Sequence, residues 1–574
     1  MSYENNEICK MKIQIIIISL ILLILSINGM LSQTRQLIFD FNVIIGKPKN
    51  LLGVNVGPGA SIRGYQESGI SEIRTHDYYG PFDYWEYTKN AIDTGKQFIK
   101  SSFNPEVSSS YNWKNTDLKM DSIVRNGFIP FFRLGISWPN SPDVPIFPPI
   151  DDNGKTFTKF AQICKSTVLH YNYGWDNGFN YNIKYWEVWN EPDFKEKFWL
   201  GKNATPINYF KMYQTVADTL KQIDKELKIG GPGLAYYSMI FSQKPFREDF
   251  IKYCKENNVP LDFYSFHLYD VKNPFAIKAY GDTIRKILNE NGFNKAEIFI
   301  TEIHPDLKGT EYNNTVKGAS WIASALISCN YSQIDKFFWY RGTKLGPLVD
   351  DDQKNEAKLF WNGYAYKAYS DFYKSVSFLV KTEGILETNR DFDKEVNNLT
   401  ALAGFSASKD TIIILLSNFN SNYSYLSLKL QNTKLRDGFV LVQKYRIGAP
   451  NDKLMMKMDT IEISNGEFSI DIKNIRSPEV YLVRLFNIEV EVNTIKQYMD
   501  REIKFNFNQF TNIATLETEN SLSEVKILDI FGRTLKTIEE AEAHSTNITI
   551  DLNDFIPGIY FINLKNRLFK FCKI

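Results

Sequence analysis

The chain has 574 residues, enough for roughly three to four domains. Hydrophobic residues make up 43% and aromatics 15%, which excludes a mainly disordered protein. With 67 Lys and Arg against 66 Asp and Glu, charge gives no case for a nucleic-acid partner.

At the N-terminus, Lys10 and Lys12 precede an apolar run, Ile15–Ile18 and Leu20–Leu25. A charged segment before such a run is the pattern of a secretory signal. The run falls short of the about 20 apolar residues a membrane span needs. Residues 1–32 are therefore expected to be a signal peptide cleaved near Ser32–Gln33, with an uncleaved anchor as the competing reading. Met11 makes a better start than Met1. The cysteines, Cys9, Cys164, Cys254, Cys329 and Cys572, are far apart. Cys164, Cys254 and Cys329 read as buried small hydrophobes, with one disulfide left open.

From 50 to 374 short apolar segments alternate with amphipathic ones. Candidate strands are Leu51–Val56, Glu72–His76, Phe128–Leu134, Tyr185–Trp189, Lys228–Gly231, Phe263–His267, Glu297–Thr301 and Lys336–Tyr340. Tyr209–Lys225 and Ala319–Ser328 have helical spacing. Eight strands with intervening helices predict an α/β fold, a (β/α)8 barrel, with a doubly wound open sheet as runner-up. From 375 to 490 evenly spaced strands predict an accessory β-sandwich. They are Leu399–Phe405, Thr411–Asn418, Tyr423–Leu430, Phe439–Tyr445, Ile461–Ile463 and Val480–Leu485. Leu37–Ile45, within 33–49, is expected to join that sheet. Residues 495–574 form a third, small β-rich block.

Two glutamates occupy matching places. Glu191 follows the fourth candidate strand and Glu302 the seventh. A barrel brings the C-terminal ends of all its strands to one face, where active sites sit. Two carboxylates then converge across one cleft. Retaining glycosidases need such a pair, one to protonate the leaving oxygen and one to attack the anomeric carbon, about 5–5.5 Å apart. The acid needs a raised pKa, from a semi-apolar setting and a negative neighbour. Trp186, Trp189 and Pro192 are candidates for the apolar part, and Asn190 for a hydrogen bond to a sugar hydroxyl.

The stretch Tyr185-Trp186-Glu187-Val188-Trp189-Asn190-Glu191-Pro192 resembles the acid/base signature of clan A glycoside hydrolases, most closely family 39, which includes β-xylosidases and α-L-iduronidases. Ile73-Arg74-Thr75-His76-Asp77, Phe263–Tyr269 and Ile300-Thr301-Glu302 agree with it. The resemblance covers roughly 50 to 485. It implies acid/base Glu191 and nucleophile Glu302, with Asn190, His76, His267, Tyr269 and Trp339 lining the sugar site. His304 and Pro305 depart from the expected loop after the nucleophile, which bears on the leaving-group side.

His267 and Tyr269 are two apart on a strand and face one side. Tyr269 is a candidate donor to Glu302, and Arg74 a candidate holder of Glu302 as an anion. The alternatives are satisfied core groups and a structural ion pair. Trp339 reads equally as a sugar platform or as core. His76, His267 and His304 at strand ends raise the question of zinc, but no ligand spacing is present. The two-glutamate mechanism needs no metal and no cofactor.

The third block, with Val525–Arg533 and Pro557-Gly558-Ile559-Tyr560-Phe561-Ile562, resembles the type A sorting domain of type IX secretion in Bacteroidetes. Together with the leading segment it implies export through the periplasm to the surface or medium, with the secretion machinery as a partner. The expectation is a secreted retaining glycosidase, β-xylosidase-like, acting on an oligosaccharide or polysaccharide-derived substrate. An endo-glucanase, an arabinofuranosidase and a non-catalytic glycan-binding surface protein are the rivals.

Overall fold

The structure is a computed structural model. It describes residues 33–75, 104–135, 148–150, 156–194, 197–201, 203–235, 244–307, 310–350, 357–385, 398–448 and 455–487. Beyond these it describes the strands between 503 and 573 and the turn at 552–555. The leading apolar segment, Cys9, His76, the Gly532 turn and most of the loop 138–152 lie outside the described residues. The chain divides into two compact units, one ending at Glu489 and one starting at Val490.

The first strand, β1 (Gln33–Gly46), belongs to the accessory sheet. Eight strands then close a parallel barrel: β2 (Gly53–Asn55), β3 (Glu72–Arg74), β4 (Ile129–Leu134), β5 (Tyr185–Val188), β6 (Lys228–Leu234), β7 (Phe263–Tyr269), β8 (Glu297–His304) and β9 (Lys336–Trp339). A helix follows each strand: α1 (Ile62–Ser68), α2 (Lys114–Arg125), α3 (Thr158–Tyr173), α4 (Pro206–Ile223), α5 (Lys244–Glu256), α6 (Ala276–Glu290), α7 (Val316–Asn330) and α8 (Trp361–Ser375). The closed barrel excludes the open-sheet alternative. Among the described residues no helix is long and apolar enough to cross a membrane.

Local chemistry sets these elements. Thr205 caps α4 by accepting from the Asn208 N–H, with Pro206 in the first turn, where its missing N–H costs nothing. Tyr209, Tyr213, Val216 and Leu220 then recur at helical spacing and are buried. Gly69 and Gly174 end α1 and α3 in the left-handed conformation that glycine adopts without strain. Helix α7 is buried almost all round because it lies between the barrel and the accessory sheet. There Ser417 Oγ donates to the Ser320 carbonyl and accepts from Ser324 Oγ.

Inside the barrel, Phe131, Tyr185, Phe263, Phe299 and Phe338 form one aromatic layer, with Phe263 and Phe299 stacked at 4.7 Å. Two residues on, the same strand faces carry charge instead: Arg133 after Phe131, Glu187 after Tyr185. The apolar layer floors the charged one and keeps it dry.

The accessory strands are β10 (Phe378–Glu383), β11 (Leu399–Phe405), β12 (Thr411–Asn418), β13 (Tyr423–Gln431), β14 (Gly438–Ile447), β15 (Met455–Ile463), β16 (Phe468–Lys473) and β17 (Glu479–Asn487). Hydrogen bonding gives one ladder, β15-β14-β17-β12-β11-β10-β1-β13-β16. Its apolar faces share a core, with Leu37 and Phe39 of β1 beside Leu428, Ile414 and Val483. Strand β1 pairs antiparallel with β10 and parallel with β13. Strands β10 and β16 escape sequence reading. Each is six residues long and interrupted by charge, and β16 buries only Ile470 and Ile472 deeply.

In the second unit the strands are β18 (Ile503–Asn508), β19 (Ile513–Thr518), β20 (Val525–Leu528), β21 (Thr534–Ile538), β22 (Asn547–Asp551), β23 (Gly558–Leu564) and β24 (Arg567–Lys573). Sheets β18-β19-β22 and β21-β20-β23-β24 enclose a core that includes Leu516, Ile527, Ile550 and Ile562. Cys164, Cys254 and Cys329 are buried and unbonded.

Trp189, fully buried just after β5, donates from Nε1 to the Phe198 carbonyl at 3.0 Å and meets Trp199 edge-on. Its ring covers Gly135, which follows β4 at φ +101°. A Cβ on Gly135 would stand 2.5 Å from Trp189 Cε3. Gly135→Ala is therefore expected to cost about 1–3 kcal/mol, from the strained backbone and the clash. A thermal melt of the variant checks this, and an unchanged midpoint would contradict the packing.

Candidate active site

The charged layer at the C-terminal mouth of the barrel is organised by Arg74, the last residue of β3, which has no exposed surface. Its Nε donates to Glu187 Oε2 at 2.7 Å and its Nη1 to Glu302 Oε1 at 2.7 Å. Nη1 also reaches Asn55 Oδ1 at 2.9 Å, and Nη2 reaches Asn190 Oδ1 at 3.1 Å. Burial alone disfavours the guanidinium charge. The Glu187 and Glu302 carboxylates outweigh burial and hold its pKa above the ordinary value. Asn55 in turn donates to the Thr301 carbonyl at 2.8 Å, tying β2 to β8.

A β-bulge aims Glu302. Along the β7–β8 pairing, Phe266 stands opposite Ile300 but His267 opposite Glu302, so Thr301 is the extra residue. Glu302 lies inside β8 rather than just after a strand ending at Thr301. Its Oε2 accepts from the Tyr269 hydroxyl. Burial, and then the Glu302 charge, push the Tyr269 phenol well above its ordinary pKa, so it stays a donor.

Glu191 is placed by strained backbone. Trp189 and Glu191 both adopt left-handed conformations, at φ 74° and 48°. For residues other than glycine this costs on the order of 1–3 kcal/mol each and persists only where neighbours enforce it. The Trp189 N–H donates to the Leu134 carbonyl and the Glu191 N–H to the Gly233 carbonyl. Two residues on, the Ala235 N–H donates to Asp193 Oδ1 at 2.9 Å. The loop is thus tied to the ends of β4 and β6.

His267 joins the two carboxylates. Its Nδ1 lies 2.7 Å from Glu191 Oε1 and its Nε2 lies 3.6 Å from Glu302 Oε1. One oxygen of each glutamate and a His267 nitrogen all fall within 4.8 Å of one another. Burial raises the Glu191 pKa well above the carboxylate range. The Glu302 and Asp193 charges add to it, and Arg74 and Arg133 oppose it. Asp193, itself buried, is pushed up to about 7.

Arg74, Asn190, Glu191, His267, Tyr269 and Glu302 therefore come together. Trp339 is fully buried, its Nε1 donating to the Gly346 carbonyl and its ring against His304 and Trp321. No ring face is open for a sugar. Trp186 points outward against Phe132, so the apolar surroundings of Glu191 come from elsewhere. His304 packs on Trp339 and accepts from the Asp306 N–H. Burial lowers its pKa to about 4, so the ring is neutral near pH 7. Sequence reading missed Asn55, Arg133, Glu187 and Asp193 as members of the site. For Arg133 and Glu187 the signal was present: a charge inside a strand buried on both faces needs a partner.

Residues 63–333 match the family model described as glycosyl hydrolases family 39, and 507–573 match that of the secretion system C-terminal sorting domain. A β-xylosidase of Geobacillus stearothermophilus is 27% identical over 267 residues, covering 41% of this chain and 49% of that protein. A β-xylosidase of Caldicellulosiruptor saccharolyticus is 28% identical over 225 residues, covering 36% and 41%. The chain thus spans less than half the length of these curated relatives. A crystal structure of a glucosidase from Croceicoccus marinus shares the fold, with TM-score 0.62 and 21% identity, over 79% of this chain and all of that one. Model match, relatives and the closed barrel agree: residues 63–333 form a domain that matches glycosyl hydrolases family 39, followed at 507–573 by one that matches the secretion system C-terminal sorting domain.

Proposed function

We propose that the protein is an exported glycoside hydrolase that cleaves glycosidic bonds by double displacement with retention, in the manner of a β-xylosidase. The observation that carries this is the meeting of Glu191 and Glu302, both buried, with oxygens within 4.8 Å of each other. That spacing suits direct attack on the anomeric carbon and leaves no room for a water between carboxylate and sugar.

The two glutamates have different settings, and the roles follow. Glu302 accepts from Arg74 and Tyr269, which stabilise it as an anion ready to attack. Glu191 holds its proton because burial and negative neighbours disfavour its charge. It protonates the leaving oxygen, then takes a proton from the water that releases the sugar. In this proposal Asn190 and His267 bind sugar hydroxyls, and the Arg74 bond to Asn190 orients it for that role. His76 belongs to this proposal through the family resemblance alone. The relatives named β-xylosidases favour a xyloside, and the sorting domain supports export through the periplasm to the surface or medium.

Glu302→Ala is expected to lower kcat more than about 10⁴-fold and Glu191→Ala by about 10²–10⁴-fold. Azide should restore turnover to Glu191→Ala with retained configuration, read by product stereochemistry. Near-normal rates in either variant would overturn the assignment. On a panel of aryl glycosides the xyloside should be cleaved fastest. Release from a glucoside or arabinoside but not from the xyloside would redirect the substrate, and no release from any would sink the hydrolase reading.

The basic limb of kcat/KM against pH should report loss of the Glu191 proton, well above the usual carboxylate range. Asp193→Asn removes a negative neighbour, makes that proton easier to lose, and should move the basic limb to lower pH. A limb that stays put or moves up would show that the Asp193 charge does not act on Glu191.

A further inference from the structure

A third carboxylate stands in the site. Glu187 is fully buried, and Arg74 contacts its Oε2 at 2.6 and 2.7 Å. Among the described residues its Oε1 accepts no hydrogen bond. That oxygen and His267 Nε2 converge on Gly233, where a Cβ would lie 3.4 Å from one and 3.5 Å from the other. Glu187 thus stands beside His267, the residue that contacts both Glu191 and Glu302.

Charge makes this position consequential. The layer holds two buried guanidinium groups, Arg74 and Arg133, the latter opposite Glu187 across β4–β5. With Glu191 protonated, the negative charge set against them comes from Glu187 and Glu302, with Asp193 beside Glu191. Without Glu187 the layer would be more positive by one unit of charge. A retaining glycosidase forms an oxocarbenium-like transition state, which that charge would oppose in both half-reactions. Asn55, Asn190 and Glu302 also accept from Arg74, so a neutral amide at 187 leaves these three contacts in place.

We propose that Glu187 is a positioning residue for the hydrolytic reaction: its carboxylate balances the buried guanidinium charge and keeps the pocket receptive to a cationic transition state. The inference rests on the hydrolase reading above.

The test compares wild type, Glu187→Gln and Glu187→Asp on an aryl glycoside that the wild type cleaves. Calorimetry adds the binding of a protonated iminosugar and of the uncharged monosaccharide released. Glu187→Gln should lower kcat about 10- to 100-fold with KM within about 3-fold, the order expected for one unit charge several Å away at a protein's effective dielectric. Iminosugar binding should weaken by a similar factor while monosaccharide binding holds. Glu187→Asp, which keeps the charge, should recover most of both. Wild-type kcat in Glu187→Gln, or equal weakening of both ligands, overturns the inference. If Glu187→Gln shows no cooperative melt, Glu187→Asp decides: a retained preference for the iminosugar supports the proposal and a collapsed one overturns it. A wild type inactive on every glycoside would sink the hydrolase reading itself. An active wild type with an unimpaired Glu187→Gln would sink this inference alone.

Discussion

A guanidinium sealed from water inside a barrel must find its counter-charges among the strands, and Arg74 finds them on β5 and β8. The cost of burying that charge is recovered only if the carboxylates sit at good geometry with further hydrogen bonds. Asn55 and Asn190 supply these from β2 and from the loop after β5. Four places around the barrel mouth are thereby held in mutual register. Remove the central cation and the two carboxylates repel across a dry gap.

That cation also sets two similar side chains apart. Glu302 receives it directly, with Tyr269 on its other oxygen. Glu191 receives no donor from Arg74 and faces His267 instead, on a loop whose backbone is bent the unfavourable way at two residues. One carboxyl group is thus favoured as an anion and the other as a protonated acid, by surroundings rather than by residue type.

Much of this was legible in the chain. Strands buried on both faces read as short apolar runs, and all eight barrel strands were visible that way. Glu191, Glu302, Arg74, His267 and Tyr269 fell at or near strand ends, where a barrel gathers them. Two things were not legible. The bulge at Thr301 depends on how β7 and β8 slide past one another, so Glu302 looked like a residue beyond the strand. The partnership of Arg74 with Glu187 links residues 113 apart through the barrel interior, which no local period encodes. Trp339 shows the converse limit: strand position gave it two readings, and only the ring neighbours His304 and Trp321 separate them.

Strand β1 carries a consequence of its own. It lies between β10 and β13 in the ladder, and Ile38 pairs with Glu383. In topological terms the whole barrel is an insertion into the accessory sheet, spliced between two adjacent strands. Strand β1 is separated from its antiparallel neighbour by some 350 residues, a long-range closure that slows assembly. Until then its backbone edges are unpaired, a condition that invites association with other chains. A chain that crosses a membrane before folding would carry that open edge with it, so completing the sheet behind the barrel would be a late event of maturation.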